Sequence, residues 1–310
     1  MLNPDRTGVV GRVRYYDIGP DAGPTILYVH GFNIASESFA LVVDRLRPLG
    51  VRQVLVDLRG HGASGPCPPE LLNIDDAADD FINVLSHLQV TGPVIVVGHS
   101  LGGPVSLSLM RRHPDAFQWA GSVQISSAVE PFTVHGLPQM LAGPLGRLLE
   151  DVVRFTPHFA EGMRRGITRT IAPVLAMGFY FRPVPRSVIR LHADMIQNTP
   201  LSTYRGFFDD LLTHSEVGAA EVLDGMPGYI LVGDRDRVTP VSQSFRLAAM
   251  WPSAYLQVLP GSGHMPPLDA PGAVAAAIER LLDVVATQPR SPGRSPHPPG
   301  RAWRPSDHQS

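Results

Sequence analysis

The chain contains no lysine; all 26 of its basic residues are arginine. That excludes Schiff-base and pyridoxal-phosphate chemistry, both of which need a lysine amine. Its single cysteine, Cys67, cannot close an internal disulfide and lies in Gly65-Pro66-Cys67-Pro68-Pro69, where it reads as an incidental thiol. No stretch approaches the ~20 apolar residues of a membrane span. The nearest, Ile171 to Phe181, is short and interrupted by Pro173. The first residues, Met1-Leu2-Asn3-Pro4-Asp5-Arg6, carry no apolar run of signal-peptide length, so a cytoplasmic location is expected. With a net charge of −2 the chain lacks the basic footprint that nucleic acid demands. Metal-ligand spacings and a phosphate loop are also missing. Gly60-x-Gly62 and Gly261-x-Gly263 are too short for a dinucleotide fingerprint, so no cofactor is expected. Arginine without lysine, beside abundant Ala, Gly and Pro, is the composition of a GC-rich bacterial genome.

What is present is enough apolar sequence, 44%, to bury a sizeable core. Short β-branched runs alternate with helical patterns, which predicts βαβ units and an α/β fold with a mostly parallel central sheet. Strands are expected at Thr25 to Val29, Val51 to Asp57, Pro93 to Gly98, Ala120 to Ile125, Tyr229 to Val232 and Tyr255 to Leu259. Helical spacing links Phe39, Val42, Val43 and Leu46, then Phe81, Val84, Leu85 and Leu88, and finally Val274, Ile278, Leu281, Leu282 and Val285. The alternation stops between Glu130 and Val217. There, helical stripes run from Leu145 to Val153, from Val188 to Ile196 and from Tyr204 to Leu212. The organisation expected is a core of 1–129 and 218–286, a helical cap or lid at 130–217, and a disordered Pro/Arg/Ser-rich tail at 287–310.

The sharpest chemical signal is Gly98-His99-Ser100-Leu101-Gly102, set after an expected strand and before a helical stretch. A strand that turns within one residue into a helix presents the middle residue's side chain in a strained conformation. Glycines must flank it to avoid collision. A serine hydroxyl needs a base, and His264 in Gly261-Ser262-Gly263-His264 follows the last expected strand. The base needs an acid, and the loop Gly233 to Pro240 offers Asp234 and Asp236.

The order Ser, Asp, His resembles the α/β-hydrolase superfamily, in its capped, esterase-like branch. His30-Gly31-Phe32 resembles that family's oxyanion-loop motif, and Asp57-Leu58-Arg59-Gly60-His61-Gly62-Ala63-Ser64 its next strand-and-turn signature. The resemblance runs from about Val13 to Ala286. It implies Asp236 as the acid, through the pattern Gly-x-x-Asp-x-x-x-Pro, with Asp234 left to the turn. It also implies an oxyanion hole from the backbone N–H groups of Phe32 and Leu101. His30 and His99, with Gly31, Gly98 and Gly102, would support the site structurally, and His61 would belong to its turn. A serine at the elbow separates the chain from dehalogenases and epoxide hydrolases, which carry Asp there, and from dienelactone hydrolases, which carry Cys.

The expectation is a serine hydrolase that cleaves an ester-type bond of a small, apolar substrate through an acyl-enzyme, using Ser100, His264 and Asp236. Another reaction on the same fold is the first alternative: a thioesterase, acyltransferase, carbon–carbon hydrolase, perhydrolase or elimination step. A non-catalytic ligand-binding protein is the second.

Overall fold

A computed structural model of the chain describes residues 2–131 and 177–287, without the side chains at 201, 204, 205 and 208. The stripe expected at Leu145 to Val153 and the tail beyond Thr287 lie outside the described residues.

Eight strands form one sheet: β1 (Arg6–Val10), β2 (Val13–Ile18), β3 (Thr25–Val29), β4 (Arg52–Val56), β5 (Val94–His99), β6 (Trp119–Ile125), β7 (Gly228–Gly233) and β8 (Ala254–Leu259). Their order is β1-β2-β4-β3-β5-β6-β7-β8. The β1–β2 and β2–β4 pairs are antiparallel and the others parallel. The six strands expected from apolar runs are there within a residue or so of their expected ends. The β1–β2 hairpin was not expected. It turns through Gly11 at φ 56° between the paired Val10 and Val13.

Alternation along the central strands feeds two cores. Leu27, Val29, Val94 and Val96 face one side of the sheet, where α2 (Ile74–His87) and α3 (Gly102–Arg112) cover them with Phe81, Val84, Val105 and Leu109. Ile26, Tyr28, Ile95 and Val97 face the other side. There α1 (Ala40–Leu46) and the last described helix, α7 (Pro271–Thr287), supply Val42, Leu46, Val274 and Ile278. Each fully buried aliphatic contributes about 1.5–3 kcal/mol relative to exposure, so coverage of both faces holds the central strands rigid. Asn73 caps α2 by accepting from the Asp76 N–H at 2.7 Å, and Asp75 and Asp76 complement the helix dipole.

Between β6 and β7 the described chain contributes α4 (Arg186–Asn198) and α5 (Leu201–Leu211); α6 (Val241–Met250) then precedes β8. The spacing from Val188 to Ile196 does form a helix, and its buried side chains are Val188, His192, Ala193, Met195 and Ile196. Among the described residues no helix is long and apolar enough to cross a membrane. Cys67 is buried in the α2–α3 core, and burial pushes its thiol pKa up, which leaves it less reactive.

Candidate active site

In a parallel sheet the loops after the strands gather at the carboxyl edge, where α/β folds bind ligands. Here β3 leads to His30–Phe32, β4 to Asp57, β5 to Ser100, β7 to Asp236 and β8 to His264.

Ser100 stands at φ 53°, in the left-handed region that a non-glycine residue enters only at a cost of about 1–3 kcal/mol. Ser100 N donates to Ile125 O at 3.0 Å, and its carbonyl accepts from Gly103 N at 2.8 Å. The flanking glycines are required by space. A Cβ on Gly98 would lie 2.6 Å from Gly102 O, and one on Gly102 would overlap Val29 O. A Cβ on Gly31 would lie 3.0 Å from Ser100 Cβ, so the loop after β3 runs directly against the elbow.

Ser100 Oγ lies 3.0 Å from His264 Nε2, and His264 Nδ1 lies 3.0 and 2.9 Å from the two Asp236 oxygens. The three residues, distant in sequence, form one hydrogen-bonded line. Each is only 6% exposed. Asp236 Oδ1 also accepts from Val238 N and Thr239 N, both at 2.9 Å, while Thr239 Oγ lies 2.9 Å from Oδ2 and 2.8 Å from Ser126 O. Burial opposes ionisation of Asp236. The neighbouring His264 and these N–H donors outweigh it and hold the carboxyl below the usual range. Asp234 instead accepts from Gly261 N at 2.7 Å and braces the histidine loop.

The other histidines of these loops bond to backbone. His99 Nε2 donates to His264 O at 2.8 Å, and burial lowers its pKa to about 3. His30 Nε2 accepts from Leu58 N at 2.9 Å, with Nδ1 2.8 Å from Gly31 O. His61 Nε2 accepts from Asn33 N at 3.1 Å, with Nδ1 3.1 Å from Arg59 O; burial lowers its pKa to about 3. Neutral and fixed, His30 and His61 tie the β3 and β4 loops together, while His99 ties the elbow after β5 to the histidine loop. Leu101, buried, follows Ser100 at the start of α3. The carboxylate of Asp57 adds a tie that sequence reasoning did not assign. It accepts from Ser36 N at 2.9 Å and Ala63 N at 2.8 Å.

Two further groups had no sequence signal. Thr239, beside the acid, is one. The other is the pair Tyr180 and His192, whose hydroxyl and Nδ1 lie 3.0 Å apart next to the histidine loop. Phe179 O accepts from His264 N at 3.3 Å, so this segment touches the site through backbone as well.

Among the described residues Asp75, His214 and Glu216 could present ligand atoms to a metal. Those atoms are already engaged. Arg111 bonds both Glu216 oxygens at 2.9 and 3.2 Å, His214 Nε2 lies 2.6 Å from one of them, and Ser108 Oγ donates to Asp75 at 2.5 Å. With a guanidinium already there, the cluster is an ion-pair network.

A mostly parallel eight-stranded sheet with Ser, His and Asp converging at its carboxyl edge defines an α/β-hydrolase fold. Residues 26–277 match the alpha/beta hydrolase family, and the chain belongs to that family. It is 26% identical over 269 residues to a pimeloyl-(acyl-carrier protein) methyl ester esterase of Xylella fastidiosa, covering 84% of this chain and 95% of the relative. It is 36% identical over 258 residues to the magnesium-chelatase 30 kDa subunit of Rhodobacter capsulatus, covering 80% and 83%. Among solved structures, an esterase from Thermogutta terrifontis aligns with a TM-score of 0.66 at 24% identity, covering 89% of this chain and 94% of that one.

Proposed function

We propose that the protein is a serine hydrolase that cleaves an ester-type bond of a small, largely apolar substrate. The observation that carries this reading is the line from Ser100 Oγ through His264 to Asp236, anchored on a left-handed Ser100. In the first step Ser100 Oγ attacks the ester carbonyl carbon while His264 Nε2 takes the hydroxyl proton. The negative charge on the carbonyl oxygen is met by the backbone N–H groups of Phe32 and Leu101, and each such donor is worth about 10²–10³ in rate. Collapse breaks the carbon–oxygen bond, and the proton on Nε2 passes to the departing alkoxide. Water then gives a proton to Nε2 and attacks the acyl-enzyme. The acid is released and the proton returns to Ser100. Asp236 keeps the proton of Nδ1 in place throughout and offsets the imidazolium charge. No step calls on a cofactor.

The domain plan that accompanies this reading is a core of 1–129 and 218–286, with 130–217 as a cap over the site. The esterase-named relative supports the ester reading, and the Phe179 ring, 6.0 Å from that of His264, supports an apolar substrate. A second reading, a non-catalytic binding role within a larger assembly, is favoured by the relative named as a chelatase subunit. A panel of simple esters separates the two. The hydrolase reading expects acid and alcohol products at rates that Ser100→Ala removes; turnover unchanged in Ser100→Ala, or none in the wild type, contradicts it.

A further inference from the structure

At the amino edge of the sheet, the end opposite Ser100, a groove of about 860 Å³ runs between α7 and the segments that lead into β3, β4, β5 and β6. Val51, Leu282 and Val285 line it and pack, partly buried, on the core beneath. Leu49, 50% exposed, adds to this open apolar surface. The charged residues of the lining are Glu279 and Asp283 alone, both exposed and one helical turn apart on α7. Neither carboxylate makes an ion pair or a hydrogen bond with another described residue. Such a groove suits a segment that brings guanidinium groups to the carboxylates and lays aliphatic stems and rings on the apolar floor.

α7 itself delivers the chain to this place. Ala286 lines the groove, and Thr287 ends the helix. The sequence continues Gln288-Pro289-Arg290-Ser291-Pro292-Gly293-Arg294-Ser295-Pro296, and 288–310 as a whole carries four arginines against a single acid, Asp307. A segment so poor in apolar residues has no core of its own to bury, but the groove supplies the surface it lacks. Its prolines restrict the free chain, so less freedom is lost on docking. An extended proline-rich chain advances about 3.1 Å per residue and a helix about 1.5 Å. Folded back along α7, the chain is long enough to bring Arg290 to Asp283 and Arg294 to Glu279.

We propose that the groove is the docking site of the chain's own segment 288–296, with Arg290 on Asp283, Arg294 on Glu279 and the prolines on Leu49, Val51 and Leu282. Arg301 and Arg304 lie beyond the docked part. The inference concerns the edge of the sheet opposite Ser100 and stands apart from the reaction proposed there.

The test is limited digestion of the full chain with trypsin, followed by intact mass. Trypsin cuts after Arg290, Arg294 and Arg301, whereas Arg304 is shielded by Pro305. Each rate is referred to that in a synthetic peptide of 286–310, which removes differences among the bonds themselves. On this scale the cut after Arg294 should be slowed by about tenfold or more, and the cut after Arg301 by much less. Neutralising the acids, in Glu279→Gln with Asp283→Asn, should speed the cut after Arg294 by about threefold or more. Asp283→Arg should also lose the protection, and Asp283→Arg with Arg290→Asp should recover it. A cut after Arg294 as fast as in the peptide, or protection that survives neutralisation of both acids, overturns the proposal. Protection that fades on dilution places the segment in the groove of a second copy and overturns docking within one chain.

Discussion

The left-handed backbone of Ser100 holds strain that a glycine would not. Ser100→Gly is therefore expected to raise unfolding stability by about 1 kcal/mol while ester turnover disappears. Urea unfolding checks this; unchanged or lower stability means that the turn is not strained. Asp236→Asn keeps the shape of the site but loses the charge and can present an amide N–H to Nδ1, which favours the wrong tautomer. Its kcat should fall by about 10⁴-fold with KM little changed. Steady-state kinetics decide that, and a fall below tenfold would remove Asp236 from the catalytic role. The sequence made Ser100 and His264 legible because a nucleophile elbow and a post-strand histidine are local patterns. It left Asp234 and Asp236 open on spacing alone; only the fold puts Asp236 on His264 Nδ1 and Asp234 on Gly261 N. The roles of Thr239 and Asp57 were not legible, because they depend on meetings that only the fold makes, Thr239 Oγ with Ser126 O and Asp57 with Ser36 N.

At the scale of elements, the parallel strands could be read from sequence because burial on both faces forces continuous apolar runs. The β1–β2 hairpin could not. Arg6-Thr7-Gly8-Val9-Val10 is an edge strand with a largely exposed pattern and offers no such run. What attaches the hairpin to the sheet is electrostatic as well as backbone pairing. Asp17 of β2, fully buried, accepts from Arg52 of β4 at 3.0 and 2.9 Å, and Arg52 is 1% exposed. Removing Asp17 leaves the buried Arg52 guanidinium with only the exposed Asp21 carboxylate and two backbone carbonyls to offset it, so Asp17→Ala is expected to cost about 3–5 kcal/mol. The double change Asp17→Leu with Arg52→Met should cost much less, since it removes both charges and keeps the volume. Denaturation of the three proteins tests this; equal losses in the single and double variants would show that the pair is not what binds the hairpin. α4 shows a different limit. Its 3.6-residue stripe was legible, but periodicity reports which face is buried and not that the face meets the Ser100 loops.

Across the whole molecule, α5 joins the core through the buried Phe207 and Leu211 and through a charged cluster. Asp210 of α5 accepts from Ile74 N at 2.7 Å, and His214 lies between Asp210 and Glu216, which in turn binds Arg111 of α3. Burial works against the charged His214, but hydrogen bonds to the two carboxylates prevail and raise its pKa to about 9. A histidine raised above its unfolded value of about 6.5 contributes stability that is complete below that pH. The contribution is lost as pH rises toward about 9. The melting temperature should therefore decline between those pH values in the wild type and decline less in His214→Asn; parallel declines would contradict the assignment. The central claim concerns the carboxyl edge of the sheet, where three distant loops make Ser100 a nucleophile. Intact-protein mass after treatment with a fluorophosphonate tests it most directly. The prediction is one adduct on the wild type, none on Ser100→Ala and a much slower one on Asp236→Asn. A folded wild type that takes no adduct, or a Ser100→Ala protein that takes one, would contradict it.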